Sequence, residues 1–353
     1  MKIGITHGDF NGANYEILLK IFEDPRMVEI GTPVIYGSPR VAAWYRKTLN
    51  MEPLQFNFIE DVEQVKQGQV NLVNVLGSIE PDITPGIPSA ASGEAARTAL
   101  RRAVADLKDG KIDLLVTAPI NKATIQNDEF SFPGHTEYLE KELADEDHPK
   151  ALMVLTSERL KVALVTAHAP ISRVASLITK ETILEKLRLF RSTLEDDFTL
   201  RNPRIAVLAL NPHSGDKGTI GNEDTDIIAP AIEEARKEGI LAFGPYAADG
   251  FFGAGTYAQF DGVLAMYHDQ GLIPLKMLSM DNGVNFTAGL PYVRTSPDHG
   301  TAYDIAGKNV ASVVSMRAAI YEAIDIARRR FSNHEAKANP LEKHYHPSRR
   351  ERD

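Results

Sequence analysis

The sequence predicts an α/β protein built on parallel strands that are buried on both faces. Apolar runs bounded by glycine and polar residues recur at Asp113–Lys122 (DLLVTAPINK), Lys161–His168 (KVALVTAH), Arg204–His213 (RIAVLALNPH) and Gly262–Lys276 (GVLAMYHDQGLIPLK). Short runs of this kind suit the central strands of a parallel sheet. Segments with helical apolar spacing lie between them, and this alternation is the pattern of α/β folds. At 353 residues the chain exceeds the usual size of a single core, so two domains are expected.

In chain order, Lys2–Thr6 opens as a strand and turns through His7–Gly12 into a helix over 13–22. Thr32–Tyr36 is a second strand, followed by a helix near Pro39–Leu49. Gln55–Ile59 and Val70–Val75 are short strands. Ile79–Ser92 (IEPDITPGIPSAAS) is rich in Pro, Gly and Ser and predicts a loop. Gly93–Asp109 then carries Ala, Leu and Val at helical spacing. Asp113–Ala118 is a buried strand. Phe130–Glu137 (FSFPGHTE) is a turn into a helix that Thr136 would cap. Ala151–Thr156 and Lys161–Thr166 are adjacent strands joined by a tight turn at Ser157–Arg159. Thr179–Leu194 is an amphipathic helix, Arg204–Leu210 a strand, and Glu223–Glu238 a helix stopped by Gly239. Val263–His268 is a strand, as is Val284–Thr287. Ser296–Gly300 is a polar loop and Val310–Arg330 a long helix. Residues 334–353 have no apolar period and read as a mobile tail, with His344 and His346 as solvated residues of it.

A net charge of -9 argues against nucleic acid or an anionic membrane surface as the main partner. The absence of cysteine removes disulfides and thiolate metal sites and fits a reducing compartment. Met1 leads straight into a strand, no apolar run approaches membrane-spanning length, and the cytoplasm is the expected location.

Chemistry concentrates at strand ends, where ligands bind in open α/β sheets. His168, His213 and His268 each close an apolar run. Neutral imidazoles are the commonest metal ligands, so the three together predict a divalent metal site. The bland alternative is that each hydrogen-bonds a loop. His135 and Thr136, at a helix start, suit a phosphate or carboxylate, or simply a capped helix with a surface histidine. Lys276, Asn285 and Arg294 flank apolar segments, as Lys122 does, which suits polar groups in a cleft. Asp249 is a turn aspartate or a positioning residue, and His299 is assigned no ligand role. Gly253–Ala258 (GAGTYA) fits the dinucleotide pattern G-x-G-x-x-A but lacks the preceding strand and following helix that the fingerprint needs, so it is rejected.

Six stretches taken together resemble one family. GITHGDFNG, TAPINK, FPGHTEYL, LNPHSGDKG, YHDQGL and GLPYVRTSPDHGTAYDIAG are similar to the motifs of 4-hydroxythreonine-4-phosphate dehydrogenases, enzymes of pyridoxal phosphate biosynthesis, in order over about residues 1–330. The resemblance implies two α/β/α domains around a cleft, as in isocitrate and isopropylmalate dehydrogenases. Residues 1–130 with 280–353 would form one domain, and 131–279 the other, carrying the metal ligands and the interface of a homodimer. It implies His168, His213 and His268 as metal ligands, with His168 and His213 from one chain and His268 from its partner. His135, Thr136, Lys276, Asn285 and Arg294 become substrate-binding residues. Two departures stand out: His7, Phe10 and Asn11 replace a proline-containing opening turn, and Asp216-Lys217 replaces Glu-Gly after Asn211-Pro212-His213.

The implied reaction is oxidative decarboxylation of 4-phosphooxy-L-threonine to 3-amino-2-oxopropyl phosphate, with NAD or NADP and zinc, or cobalt or magnesium, as cofactors. Lys276 is the candidate base. A sister group within the family acts on 4-phosphorylated threonate or erythronate. The rivals from other classes are a zinc hydrolase using Asp249 or Asp269 as base, and a metal-free acyltransferase.

Overall fold

The computed structural model describes residues 1–338 except positions 53, 128, 129, 133 and 280. His344 and His346 lie outside the described residues. The first five strands are β1 (Lys2–Thr6), β2 (Thr32–Gly37), β3 (Phe56–Ile59), β4 (Val70–Asn74) and β5 (Leu114–Thr117). The next five are β6 (Leu152–Thr156), β7 (Lys161–Thr166), β8 (Arg204–Leu208), β9 (Leu241–Tyr246) and β10 (Gly262–Tyr267), followed by β11 (Val284–Ala288) and β12 (Arg294–Pro297). All join one twelve-stranded sheet in the order β3-β4-β2-β1-β5-β12-β11-β6-β7-β10-β8-β9.

The sheet is two parallel runs joined by reversals. β3 to β5 run parallel, and β12 extends them alongside β5. β7, β10, β8 and β9 form the second parallel run. The pairs β12/β11, β11/β6 and β6/β7 are antiparallel. Three reversals leave the two runs pointing in opposite directions, so their carboxyl ends do not share one edge. The polar residues that the sequence places at strand ends therefore converge over the middle of the sheet, where the two polarities meet.

The helices are α1 (Asn14–Phe22), α2 (Pro39–Thr48), α3 (Ala90–Lys108), α4 (His135–Leu143), α5 (Ile171–Leu177), α6 (Lys180–Asp196), α7 (Ala229–Lys237), α8 (Ala248–Gly253), α9 (His268–Ser279) and α10 (Val314–Ala338). They cover both faces and bury β2 and β5 at every position. α10 packs on β12, β5 and β11 and reaches α6. No described helix is long and apolar enough to cross a membrane.

Several elements differ from the sequence reading. β12 reads as polar (RTSP), yet all four residues are buried because β5 and β11 flank it and α10 covers it; Thr295 Oγ1 donates to Ala319 O at 2.7 Å. β9 contains Gly244 and Pro245, which read as breakers, but it lies at the sheet edge, where proline is tolerated. The strand read as ending in His268 stops at Tyr267, and His268 is the first residue of α9. Gly271 in that helix is a packing requirement, since a Cβ there would lie 2.5 Å from the Val162 side chain. α3 starts inside the predicted loop because Ser89 caps it, its Oγ accepting from Ser92 N–H at 3.1 Å. α5 and α8 are short helices that carry no periodic signal. α10 starts later than predicted and continues through 334–338, into the stretch read as tail.

Candidate active site

A cavity of about 370 Å³ lies over the centre of the sheet. Thr117 of β5, Met153 of β6, Asn285 of β11, and Arg294 and Ser296 of β12 form its floor. Alternation of side chains along a strand places Arg294 and Ser296 on one face, and cross-strand pairing of Asn285 with Ser296 brings the third residue alongside. The walls come from Lys122, His135 and Thr136 on one side and from His168, His268 and Lys276 on the other. The loop Asp298–Gly300 closes one end. All the residues assigned to substrate binding thus meet in one place.

Arg294 is the largest fully buried side chain among the described residues. Its Nε donates to Thr117 Oγ1 at 3.1 Å and its Nη1 to Thr287 Oγ1 at 2.8 Å. Among the described residues no carboxylate forms an ion pair with it. Burial pushes the guanidinium down to about 9, with Glu137 opposing, so it remains charged at neutral pH. A buried cation without a counter-ion is costly unless a ligand supplies the anion. His135 stands in the first turn of α4 with Nε2 buried and unpartnered. Burial first, then the charges of Arg294 and Lys122, hold it well below the usual histidine range, so it is a neutral imidazole. Asn285 Oδ1 and His299 Nε2 are also buried without partners. Orphaned polar atoms converging on a charged cavity mark a site shaped for a polar ligand.

A second cavity, of about 440 Å³, lies between α6 and α10. It is larger, but its arginine and lysine are already paired: Arg330 with Asp197 at 2.5 Å and Lys337 with Asp196 at 2.7 Å. The smaller cavity, with its unpaired groups, is the better candidate.

The metal-ligand histidines are only partly assembled. His168 and His268 line the cavity together, with ring centroids 6.4 Å apart. His168 Nδ1 meets Glu137 Oε1 at 2.9 Å, and His268 Nδ1 meets Asp269 Oδ1 at 2.7 Å. A carboxylate at Nδ1 holds the proton there and leaves the Nε2 lone pair for a cation, the arrangement that orients metal-binding histidines. Burial pushes the Glu137 carboxyl up, but the His168 contact, a backbone N–H and the nearby charges of His168 and Lys122 together outweigh it, and Glu137 lies below its ordinary range. The donor set therefore fits a divalent cation. His213 does not line the cavity, and no group of three ligating side chains forms among the described residues. Within this chain His168 lies beside His268, because β7 and β10 are adjacent and end at the same level.

His213 sits on an unusual turn. His213 to Lys217 all have positive φ, between 42° and 77°. Non-glycine residues avoid this left-handed region, and it persists only where surrounding structure dictates it. Buried Asp224 does so, accepting from Leu210 N–H at 2.7 Å and Asn211 N–H at 3.0 Å. His213 is exposed at the tip.

Asp249 falls outside the cavity, in the first turn of α8, beside Asp269 and Gln270 in a shallow groove along α9. Gly253 ends α8, and a further turn over Thr256–Gln259 follows, so GAGTYA opens no helix of the dinucleotide-binding kind. His299, given no role from sequence, does line the cavity. Thr117, Glu137, Ser296 and Asp298 were also missed. Glu137 sits next to the GHT stretch already singled out, whereas Asp298 and Ser296 carry no local signal, since only the sheet order brings them here.

The chain is similar to known proteins over most of its length. The family model described as "Pyridoxal phosphate biosynthetic protein PdxA" matches residues 29–323. A protein of Bacteroides thetaiotaomicron named 4-hydroxythreonine-4-phosphate dehydrogenase is 52% identical over 100% of this chain and 96% of its own length. One of the same name from Aquifex aeolicus is 45% identical over 88% of this chain and 93% of its own. A crystal structure of 4-hydroxythreonine-4-phosphate dehydrogenase from Klebsiella pneumoniae superposes with a TM-score of 0.76 at 32% identity, over 92% of this chain and 98% of that one.

Proposed function

The chain belongs to the PdxA family of pyridoxal phosphate biosynthetic proteins, and from that premise we propose that it oxidatively decarboxylates 4-phosphooxy-L-threonine, with NAD or NADP as oxidant. The observation that carries the reading is the unpaired, buried Arg294 guanidinium beside two imidazoles whose Nδ1 atoms are held by carboxylates.

When bound, a divalent cation supplies Lewis acidity and a nicotinamide supplies a hydride acceptor. His168 and His268 hold the cation, with zinc favoured over cobalt or magnesium by imidazole ligands. We place His213 in the partner's cleft of a homodimer, completing that cleft's ligand set. Arg294, Lys122 and the start of α4 take the anionic groups of the substrate, and the neutral His135 hydrogen-bonds to them. Thr136 and Asn285 fix its orientation. Lys276 accepts the C3 hydroxyl proton as the C3 hydrogen leaves as hydride. The resulting β-keto acid loses carbon dioxide, and Lys276 returns its proton to C2. The product is 3-amino-2-oxopropyl phosphate.

The domain division proposed from sequence, 1–130 with 280–353 against 131–279, cuts the sheet between β11 and β6. The cleft then lies on that boundary, and closure would exclude water. A small phosphorylated metabolite and a soluble cofactor suit a cytoplasmic enzyme.

The test is reduced nicotinamide formation with 4-phosphooxy-L-threonine and, separately, with 4-phosphothreonate and 4-phosphoerythronate. Higher kcat/KM on the amino substrate supports the proposal. Turnover of the non-amino acids alone moves the protein to the sister activity, and no turnover of any of them defeats the reading.

A further inference from the structure

Asp298 has no role in the reaction as described, yet it is held more firmly than a loop residue needs. It follows β12 directly. Its backbone N–H donates to Ser315 Oγ at 3.0 Å, and the Ser315 hydroxyl donates to Gly283 O at 2.8 Å. A Cβ at Gly283 would lie 3.1 Å from Asp298 Oδ2, so glycine leaves the carboxylate its space. The start of α10 and the turn before β11 thus fix Asp298 from two sides. Its carboxylate, 15% exposed, faces the cavity and meets Lys276 Nζ at 3.3 Å. The Asp298 main-chain O lies 3.5 Å from the same nitrogen.

We propose that Asp298 is the positioning residue of the proton-transfer step: it holds Lys276 Nζ at the cavity wall and stabilises the ammonium between removal of the hydroxyl proton and its return to carbon. This deepens the proposed function and rests on Lys276 as the proton carrier. The proton balance needs no other group. Oxidation moves one proton from the hydroxyl oxygen to Nζ and one hydride to the nicotinamide. Decarboxylation breaks the C1–C2 bond, its electron pair passes to C2 and the carbonyl, and the Nζ proton goes to C2. During that interval Nζ carries a full positive charge in a cavity already holding Arg294 and Lys122. An anion at 3.3 Å offsets it. The same cations surround Nζ with His299 from the Asp298 loop, His268 from the start of its own helix, and His135 across the cavity. Among the described residues, Asp298 is the carboxylate that contacts it. Burial pushes the Asp298 carboxyl up and Lys276 pulls it back, the balance expected of a group sited to face a cation.

The test compares Asp298→Asn with the wild type as holoenzyme. Two quantities are read: steady-state kinetics, and the pH midpoint of Lys276 acetylation by trace acetic anhydride, followed by peptide mass spectrometry. Removing an anion that contacts a lysine makes the ammonium easier to deprotonate, so the midpoint in Asp298→Asn should fall below that of the wild type. The kcat should fall about tenfold or more while KM stays within about threefold. A merely structural aspartate would lower stability without moving the midpoint. An unmoved midpoint, or a kcat within about twofold of wild type, overturns the proposal. If Asp298→Asn does not fold, Ser315→Ala keeps the charge and loosens its support; a fall in kcat of about threefold or more supports the proposal and an unchanged kcat overturns it. Lys276→Arg separates the underlying reading: near-normal turnover there removes Lys276 as proton carrier, whatever the midpoint does in Asp298→Asn.

Discussion

Replacing Arg294 by methionine should make the protein more stable and nearly inactive. Burial holds the guanidinium far below its ordinary range, at about 9, which costs the native state about 5 kcal/mol at neutral pH. Methionine has similar length, carries no charge and adapts to irregular space. Against the relief stand the Thr117 and Thr287 hydroxyls, which lose their donors at about 1–2 kcal/mol each. The net expectation is a gain of about 1–3 kcal/mol, read from urea unfolding without ligand. The sign with pH follows from the depressed titration. The wild-type penalty is complete below about pH 9 and shrinks as pH rises above it, because only the unfolded chain then binds the proton. The advantage of Arg294→Met should therefore narrow in alkali. Inorganic phosphate should raise the wild-type midpoint by mass action and leave the variant's unmoved. A variant less stable than wild type by more than about 1 kcal/mol, or one protected by phosphate as well as wild type is, would refute the view of Arg294 as a stored cation awaiting its anion.

Three further outcomes follow from the geometry. In a mixture of His168→Ala and His213→Ala subunits, both lesions should share one site of the mixed dimer, so roughly a quarter of wild-type activity returns, whereas His168→Ala with His268→Ala should stay dead; the reverse result would support the allocation that the resemblance implies. Lys217→Gly should raise stability by about 1 kcal/mol in urea, because Lys217 has φ 53° and its side chain makes no hydrogen bond or ion pair among the described residues; a loss of stability would show contacts that offset the strain. Asn11→Ala should cost about 3 kcal/mol, since the buried amide donates to Thr84 Oγ1, Ile87 O and Ser89 Oγ and accepts from Thr84 N–H; an unfolding midpoint within error of wild type would deny it that role.

Much of the fold was legible because buried parallel strands carry a strong local signal: β1, β2, β5, β7, β8 and β10 all lie where apolar runs end in glycine or polar residues. β12 was not, because its burial comes from β5, β11 and α10 and not from its own side chains. α9 was hidden by Gly271 and Pro274, which locally argue against a helix and are tolerated by packing on β10 and β7. The substrate-binding residues were readable as polar groups flanking apolar runs. Asp298 was not, since its partner Lys276 lies on another element and only the reversals in the sheet bring them together. His213 shows the same limit. Its strand ends beside that of His268, but the left-handed turn after Pro212 carries the side chain away from the cavity, and no sequence pattern announces five successive positive φ angles.

The central claim is that this cleft removes a hydride and carbon dioxide from a phosphorylated hydroxy amino acid. The most direct measurement mixes the purified protein, a divalent cation and NAD with 4-phosphooxy-L-threonine and follows reduced nicotinamide and released carbon dioxide together. The account predicts that both appear in equal amounts, that chelation stops both, and that Arg294→Met yields neither. Reduced nicotinamide without carbon dioxide, or carbon dioxide without reduced nicotinamide, would contradict it.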